Sequence, residues 1–161
     1  MIKEKRLKKI IIYFEVFSVV FMCWGCGKKE NKEISEDRLL GMVAELVNCD
    51  GFESKLELVD ETIVLNSYKI SDADISVVAG YIGEGASAEE VTLFKCSDTD
   101  KIKDYTGQYL KDKEENYKGY LPKEADKIGK AIIKEYKGYV LVCVSNNEKT
   151  TKDIIEKVEA N

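Results

Sequence analysis

Two cysteines in Cys23-Trp-Gly-Cys26, three more at positions 49, 96 and 143, and an adjacent pair of carboxylates at Glu89-Glu90 are the side chains best suited to chemistry in this chain. Cysteines with two residues between them can form a redox centre or half of a zinc site, and paired carboxylates can share acid and base work in glycoside hydrolysis. There is no histidine in the 161 residues. That excludes Ser-His and Cys-His nucleophilic pairs and every His-ligated metal centre.

Each of these groups has a plainer reading. A redox Cys-x-x-Cys belongs at a strand-to-helix turn of a folded domain, and a zinc site needs a second ligand pair. Residues 23–26 instead follow a basic segment ending at Lys9 and an apolar run from Ile10 to Met22, interrupted by Glu15. A positive start, a short apolar stretch and the small Gly25 describe a secretory signal, and a stable spanning helix needs roughly 20 apolar residues. The boundary resembles the lipobox of bacterial lipoproteins, in which signal peptidase II cuts before a lipid-modified cysteine. Cys26 occupies that position, with Cys23 standing where leucine is usual and Trp24 after it. The resemblance implies a diacylglycerol-modified Cys26, residues 1–25 as signal peptide and 26–34 as lipidated cysteine and polar tether. The competing reading is an uncleaved N-terminal anchor. Eight tether residues reach about 15 Å as a flexible coil, which keeps the domain near the bilayer.

Cys49, Cys96 and Cys143 remain after such processing. A Cys96–Cys143 disulfide is conceivable if their strands are neighbours, but buried free thiols suit cysteine better. Asp72-Ala-Asp74 and Asp98-Thr-Asp100 lack the spacing of a calcium loop and sit where capping and turn aspartates are common. Glu89 and Glu90, as adjacent residues entering a strand, point to opposite faces and do not form a catalytic pair by sequence alone. Tyr105, Tyr109, Tyr117 and Tyr120 could make an aromatic groove for sugar or peptide, or simply face the core. The stretch Gly80-Tyr-Ile-Gly-Glu-Gly85 permits positive φ or close backbone approach; its plain reading is a hairpin loop, with Glu84 free to change. No residue set reads as a catalytic, metal or cofactor site.

These groups need elements to hold them. Apolar residues make up 44% of the chain and charged residues 34%, enough for one globular body. Residues 1–25 balance to +3 and the remainder to −8. An acidic body with no basic stripe argues against nucleic-acid binding. A single domain is expected over 35–161. Its first helix runs from an N-cap at Ser35 to about Asn48, on the spacing of Leu39, Leu40, Val43, Leu46 and Val47. Residues 52–70 are ambiguous: Ile63-Val-Leu65 suits a strand or a buried helical turn. Strands at Ile75–Ile82 and Glu90–Cys96 form a hairpin, and a helix follows from Asp98 to about Tyr117. Pro122 opens a short helix through Gly129. Ala131–Tyr136 and Tyr139–Ser145 form a second hairpin around Lys137-Gly138, and Thr150–Val158 closes the chain as a helix. YVLVCV is apolar on both faces, as a central strand would be. The expected fold is α+β, an antiparallel sheet of about four strands from two hairpins with helices packed against it.

Cys26, the helix near residue 35, the SAEEVTLFK strand entry and YLPKEADKI followed by GYVLVCVS together resemble a bacterial lipoprotein domain of unknown function found in Gram-positive anaerobes. The resemblance implies a surface lipoprotein and carries no catalytic residues. The expectation is an extracytoplasmic module held to the cell membrane through a lipid anchor, non-catalytic, binding an envelope protein, peptide or polymer. The alternative is a carboxylate-dependent hydrolase of cell-wall material.

Overall fold

The computed structural model describes residues 33–71 and 73–160; Cys26, the expected signal peptide and nearly all of the expected tether lie outside the described residues. Within them the order is helix α1 (Glu36–Val47), strand β1 (Leu56–Leu58), α2 (Glu61–Ser67), β2 (Ile75–Gly83), β3 (Glu90–Cys96), α3 (Thr99–Lys118), α4 (Pro122–Ile128), β4 (Ile132–Tyr136), β5 (Tyr139–Val144) and α5 (Glu148–Ala160). The class is α+β, as expected. The strands form one sheet in the order β1-β2-β3-β5-β4, and every neighbouring pair is antiparallel.

The sheet therefore has five strands rather than about four. The extra one, β1, pairs Leu56 with Gly83 and Leu58 with Tyr81 at the sheet's edge. Three residues with only Leu56 buried carry too little alternation to announce a strand, so β1 exists because the exposed edge of β2 pairs with it. The ambiguous Ile63-Val64-Leu65 is helical. Asp60 caps α2 by accepting from the Thr62 amide at 2.9 Å, and Val64 is fully buried. Near the β2 bulge between Val77 and Ala79, the Val77 amide donates to the Glu61 carboxylate at 3.0 Å. Ser35 occupies the N-cap position of α1 but makes no side-chain capping bond; Asp98 does cap α3, accepting from the Lys101 amide at 3.0 Å.

Helices cover both faces of the sheet. On one, Leu39, Met42, Val43 and Leu46 of α1 and Ile155 of α5 pack on Val91, Leu93, Leu141 and Cys143. On the other, Val64 of α2, Ile102 and Leu110 of α3 and Ile128 of α4 pack on Phe94, Val140, Val142 and Val144. Alternate residues of β3 and β5 thus serve opposite cores, which is why both strands read as continuous apolar runs. A hairpin followed by a helix occurs twice, as β2-β3-α3 and β4-β5-α5, with the two helices sent to opposite faces. Among the described residues no helix is long and apolar enough to cross a membrane.

Candidate functional site

The segment Ser87-Ala-Glu-Glu90, where the hairpin loop re-enters the sheet, gathers partners from three helices and the β1 approach. Glu89 and Glu90 are both fully buried, and each is met by a lysine. Their partner sets are separate, in keeping with the expectation that the two carboxylates diverge.

Glu89 lies against the loop before β1. It accepts from the Glu53 amide at 2.9 Å, from the Ser54 amide at 2.7 Å and from the Ser54 hydroxyl at 2.6 Å. Lys127 of α4 approaches at 3.3 Å and also pairs with Glu53 at 2.9 Å and Glu124 at 3.0 Å. Burial alone would raise the Glu89 pKa, but the Ser54 hydroxyl, the two amides and Lys127 outweigh it and hold the carboxyl below its ordinary value. Burial likewise opposes the Lys127 charge, and Glu53, Glu124 and Glu89 overcome it, holding the ammonium well above the usual lysine range. Glu124 accepts from the Ala88 amide at 2.7 Å, fastening α4 to the loop. A cavity of about 300 Å³ opens beside this cluster, lined by Glu53, Ser54, Ser87, Glu124 and Lys127.

Glu90 faces α3. Its Oε1 accepts from the Tyr68 hydroxyl at 2.8 Å, and its Oε2 from the Tyr109 hydroxyl at 2.7 Å and the Lys113 ammonium at 2.8 Å. Lys113 also donates to the Ala88 carbonyl at 3.0 Å. Tyr68 and Tyr109 stack with centroids 3.9 Å apart, and Tyr68 meets Phe94 edge-on at 5.0 Å. Burial, followed by the Glu90 charge, pushes both phenols far above the ordinary tyrosine range, so both remain hydrogen donors.

Above this network a groove of about 900 Å³ runs along α3. Tyr105, Tyr109, Tyr117 and Tyr120 all line it, together with Tyr68, Gln108, Asp112, Lys113 and Asn116. All four tyrosines of the stripe border this groove, and Tyr105, Tyr109 and Tyr117 also pack, half-buried, against the core beneath it. Tyr117 and Tyr120 stack at 5.5 Å with Tyr120 64% exposed, and the Tyr117 hydroxyl reaches the Ser87 carbonyl at 3.4 Å. Tyr68 and Lys113 were not singled out from sequence. Lys113 did carry a signal, being one helical turn beyond Tyr109 on the same stripe.

The remaining candidates have structural roles. Cys49, Cys96 and Cys143 are free thiols. Antiparallel pairing puts Cys143 opposite Val91 while the Cys96 amide bonds Gly138, so the two cysteines lie at opposite ends of neighbouring strands and cannot bridge. Burial pushes the Cys143 thiol up to about 12 and also raises Cys96, so neither offers a ready thiolate. Asp98 caps α3, Asp100 pairs with Lys103 at 2.7 Å, and Asp72 lies outside the described residues. Among the described residues no group of three or more Cys, Asp or Glu is arranged to hold a metal ion. In the loop, only Gly85 needs positive φ, at +69°; Gly83 is required by crowding, since a Cβ there would lie 2.9 Å from the hydroxyls of Ser54 and Ser87.

This geometry lies inside a segment that other proteins share. Residues 50–145 match the model of a domain of unknown function, DUF4358. The chain belongs to that family. The matched segment of this DUF4358 protein holds all five strands, the Glu89 and Glu90 networks and the tyrosine groove, while α1 and α5 lie outside it. Comparison with curated proteins and with solved structures returned no match.

Proposed function

We propose that this DUF4358 protein is a lipoprotein, anchored through Cys26 to the extracytoplasmic face of the cell membrane, whose domain is a non-catalytic binding module with the tyrosine groove as its ligand surface. The observation that carries the binding reading is the groove itself. A cavity of about 900 Å³ walled by five tyrosines has the size and aromatic lining of a ligand site. Its floor is held by the buried Glu90 network, so the rings are set before a ligand arrives. The membrane anchor rests on the basic start, the short apolar run and the Gly25-Cys26 boundary.

Hydrolysis by carboxylates has less support. Glu89 and Glu90 are buried and committed to separate partners, and Glu89 is held low where a general acid needs a raised value. Within the groove, Asp112 is bound by Lys69 at 2.8 Å and by Gln108, and the Lys69 bond holds its carboxyl low as well.

Two measurements test the proposal. Cys26→Ser should abolish incorporation of labelled fatty acid and leave unprocessed precursor or release protein to the medium; undiminished labelling ends the lipoprotein reading. A photo-crosslinking residue in place of Tyr120 should capture an envelope component in native membranes, while the same probe at exposed Leu58 should not. Equal capture at both sites would remove the groove from the proposal.

A further inference from the structure

We infer that the groove takes an uncharged oligosaccharide in extended form. This rests on the groove being the ligand surface, and it adds the chemical class of the ligand.

The first argument is what the tyrosines leave exposed. The hydroxyls of Tyr68 and Tyr109 are spent on Glu90, and that of Tyr117 reaches the Ser87 carbonyl. At these three positions the walls offer ring surface rather than phenolic donors. Tyr117 and Tyr120 stack with planes 26° apart, and Tyr120, 64% exposed at the open end, leaves ring surface free as a platform. A pyranose ring presents a flat patch of C–H bonds on one side and hydroxyls at its rim, which suits such a platform. An extended peptide would need donors for its main-chain carbonyls, and three of the five phenols that could supply them are already engaged.

The second argument is charge. The lysines of the groove are already met: Lys69 by Asp112 at 2.8 Å and Lys113 by the buried Glu90 at 2.8 Å. An anionic ligand would have to compete with these pairs for a counter-charge, and an uncharged one would not. What remains at the rim is the amide of Asn116, suited to hydroxyls, while the Gln108 amide is held by Asp112.

The third argument is length. Tyr105 and Tyr117 are separated along α3 by about 18 Å at 1.5 Å per residue. A single sugar would leave most of that floor wet, so a chain of several sugars is the matching ligand.

The test titrates the full chain in detergent micelles and follows backbone amide resonances. The probes are chitotetraose and cellotetraose, the anionic tetragalacturonate, and decaproline. Expected are saturable shifts confined to residues 67–69 and 105–120 with at least one of the two neutral sugars. Tyr120→Ala, an exposed substitution that leaves the fold alone, should weaken that binding about fivefold or more. Stronger binding of tetragalacturonate than of both neutral sugars overturns the charge argument and with it the inference. Groove shifts with decaproline and none with either neutral sugar overturn the sugar class while leaving a binding groove in place. If no probe shifts the groove but the Tyr120 crosslinker captures an envelope protein, the ligand class is wrong and the binding module stands. Silence in both experiments defeats the two together.

Discussion

Glu89 and Glu90 are consecutive, equally buried and each paired with a lysine, yet they close two different kinds of structure. Glu89 is satisfied mainly by backbone amides and a serine at the start of β1, and its lysine has two further carboxylates. Glu90 is satisfied by two phenols and a lysine whose one carboxylate partner it is, and these same groups floor the groove. The first centre clamps chain to chain and can lose a member. The second is a small set in which two phenols and a lysine share one carboxylate, so it both carries more stability per residue and positions the candidate ligand surface.

The comparison breaks most visibly at Glu90. Glu90→Ala leaves the Lys113 ammonium, 12% exposed, without its carboxylate and takes the acceptor from the buried Tyr68 and half-buried Tyr109 hydroxyls, and should cost about 3–5 kcal/mol in chemical denaturation. Replacing both charges, as Glu90→Leu with Lys113→Met, should recover a measurable part of that loss. Equal losses in the single and double variants would mean that the stranded charge is not what costs stability. Glu89→Ala leaves Lys127 paired to Glu53 and Glu124 and orphans chiefly the amides of residues 53 and 54, so about 2–3 kcal/mol is expected. A larger loss at Glu89 than at Glu90 would reverse the ranking.

Acid sharpens the contrast. The Glu89 carboxyl is held below its ordinary 4.5, so its contribution is fully present above about that pH and is lost as the pH falls through the lower folded value. The stability gap between the native protein and Glu89→Gln should accordingly be constant from pH 7 to about 5 and narrow below 4.5. A gap that widens on acidification would show that the folded carboxyl is raised instead.

Gly83 offers a way to disturb one centre without touching its charges. A Cβ there would press the Ser54 and Ser87 hydroxyls that serve Glu89, so Gly83→Ala should cost about 1–2 kcal/mol and leave the Tyr68–Tyr109 contact unchanged by near-ultraviolet circular dichroism. Glu84→Gln, in the same loop, should move stability by less than about 0.5 kcal/mol because its carboxylate is exposed and 3.8 Å from Lys55.

The smallest expected effect is a gain. Thr106 Oγ1 is the side-chain oxygen that is buried without a hydrogen bond among the described residues, on the same helix that supplies Tyr109 and Lys113. Thr106→Val should raise stability by about 1 kcal/mol and leave Glu90 and the groove intact. A loss there would mean that the hydroxyl has a partner in solution.

By itself the sequence determined the α+β class, both hairpins, and α1, α3, α4 and α5 to within two residues, because apolar period, capping residues, Pro122 and the turn at Gly138 are local signals. It also placed Glu89 and Glu90 in different environments and marked the tyrosine stripe. Only the tertiary structure decided the rest. β1 is made by the edge of β2, and α2 shows in sequence mainly through Asp60 before a β-branched run. Lys113 and Lys127 look like ordinary surface lysines until helix packing removes water from them, leaving carboxylates 23 and 38 residues away as their partners. Burial and long-range charge pairing are properties of packed elements, and so only packing could bring Tyr105, Tyr109 and Tyr117 against the core and along a groove at once.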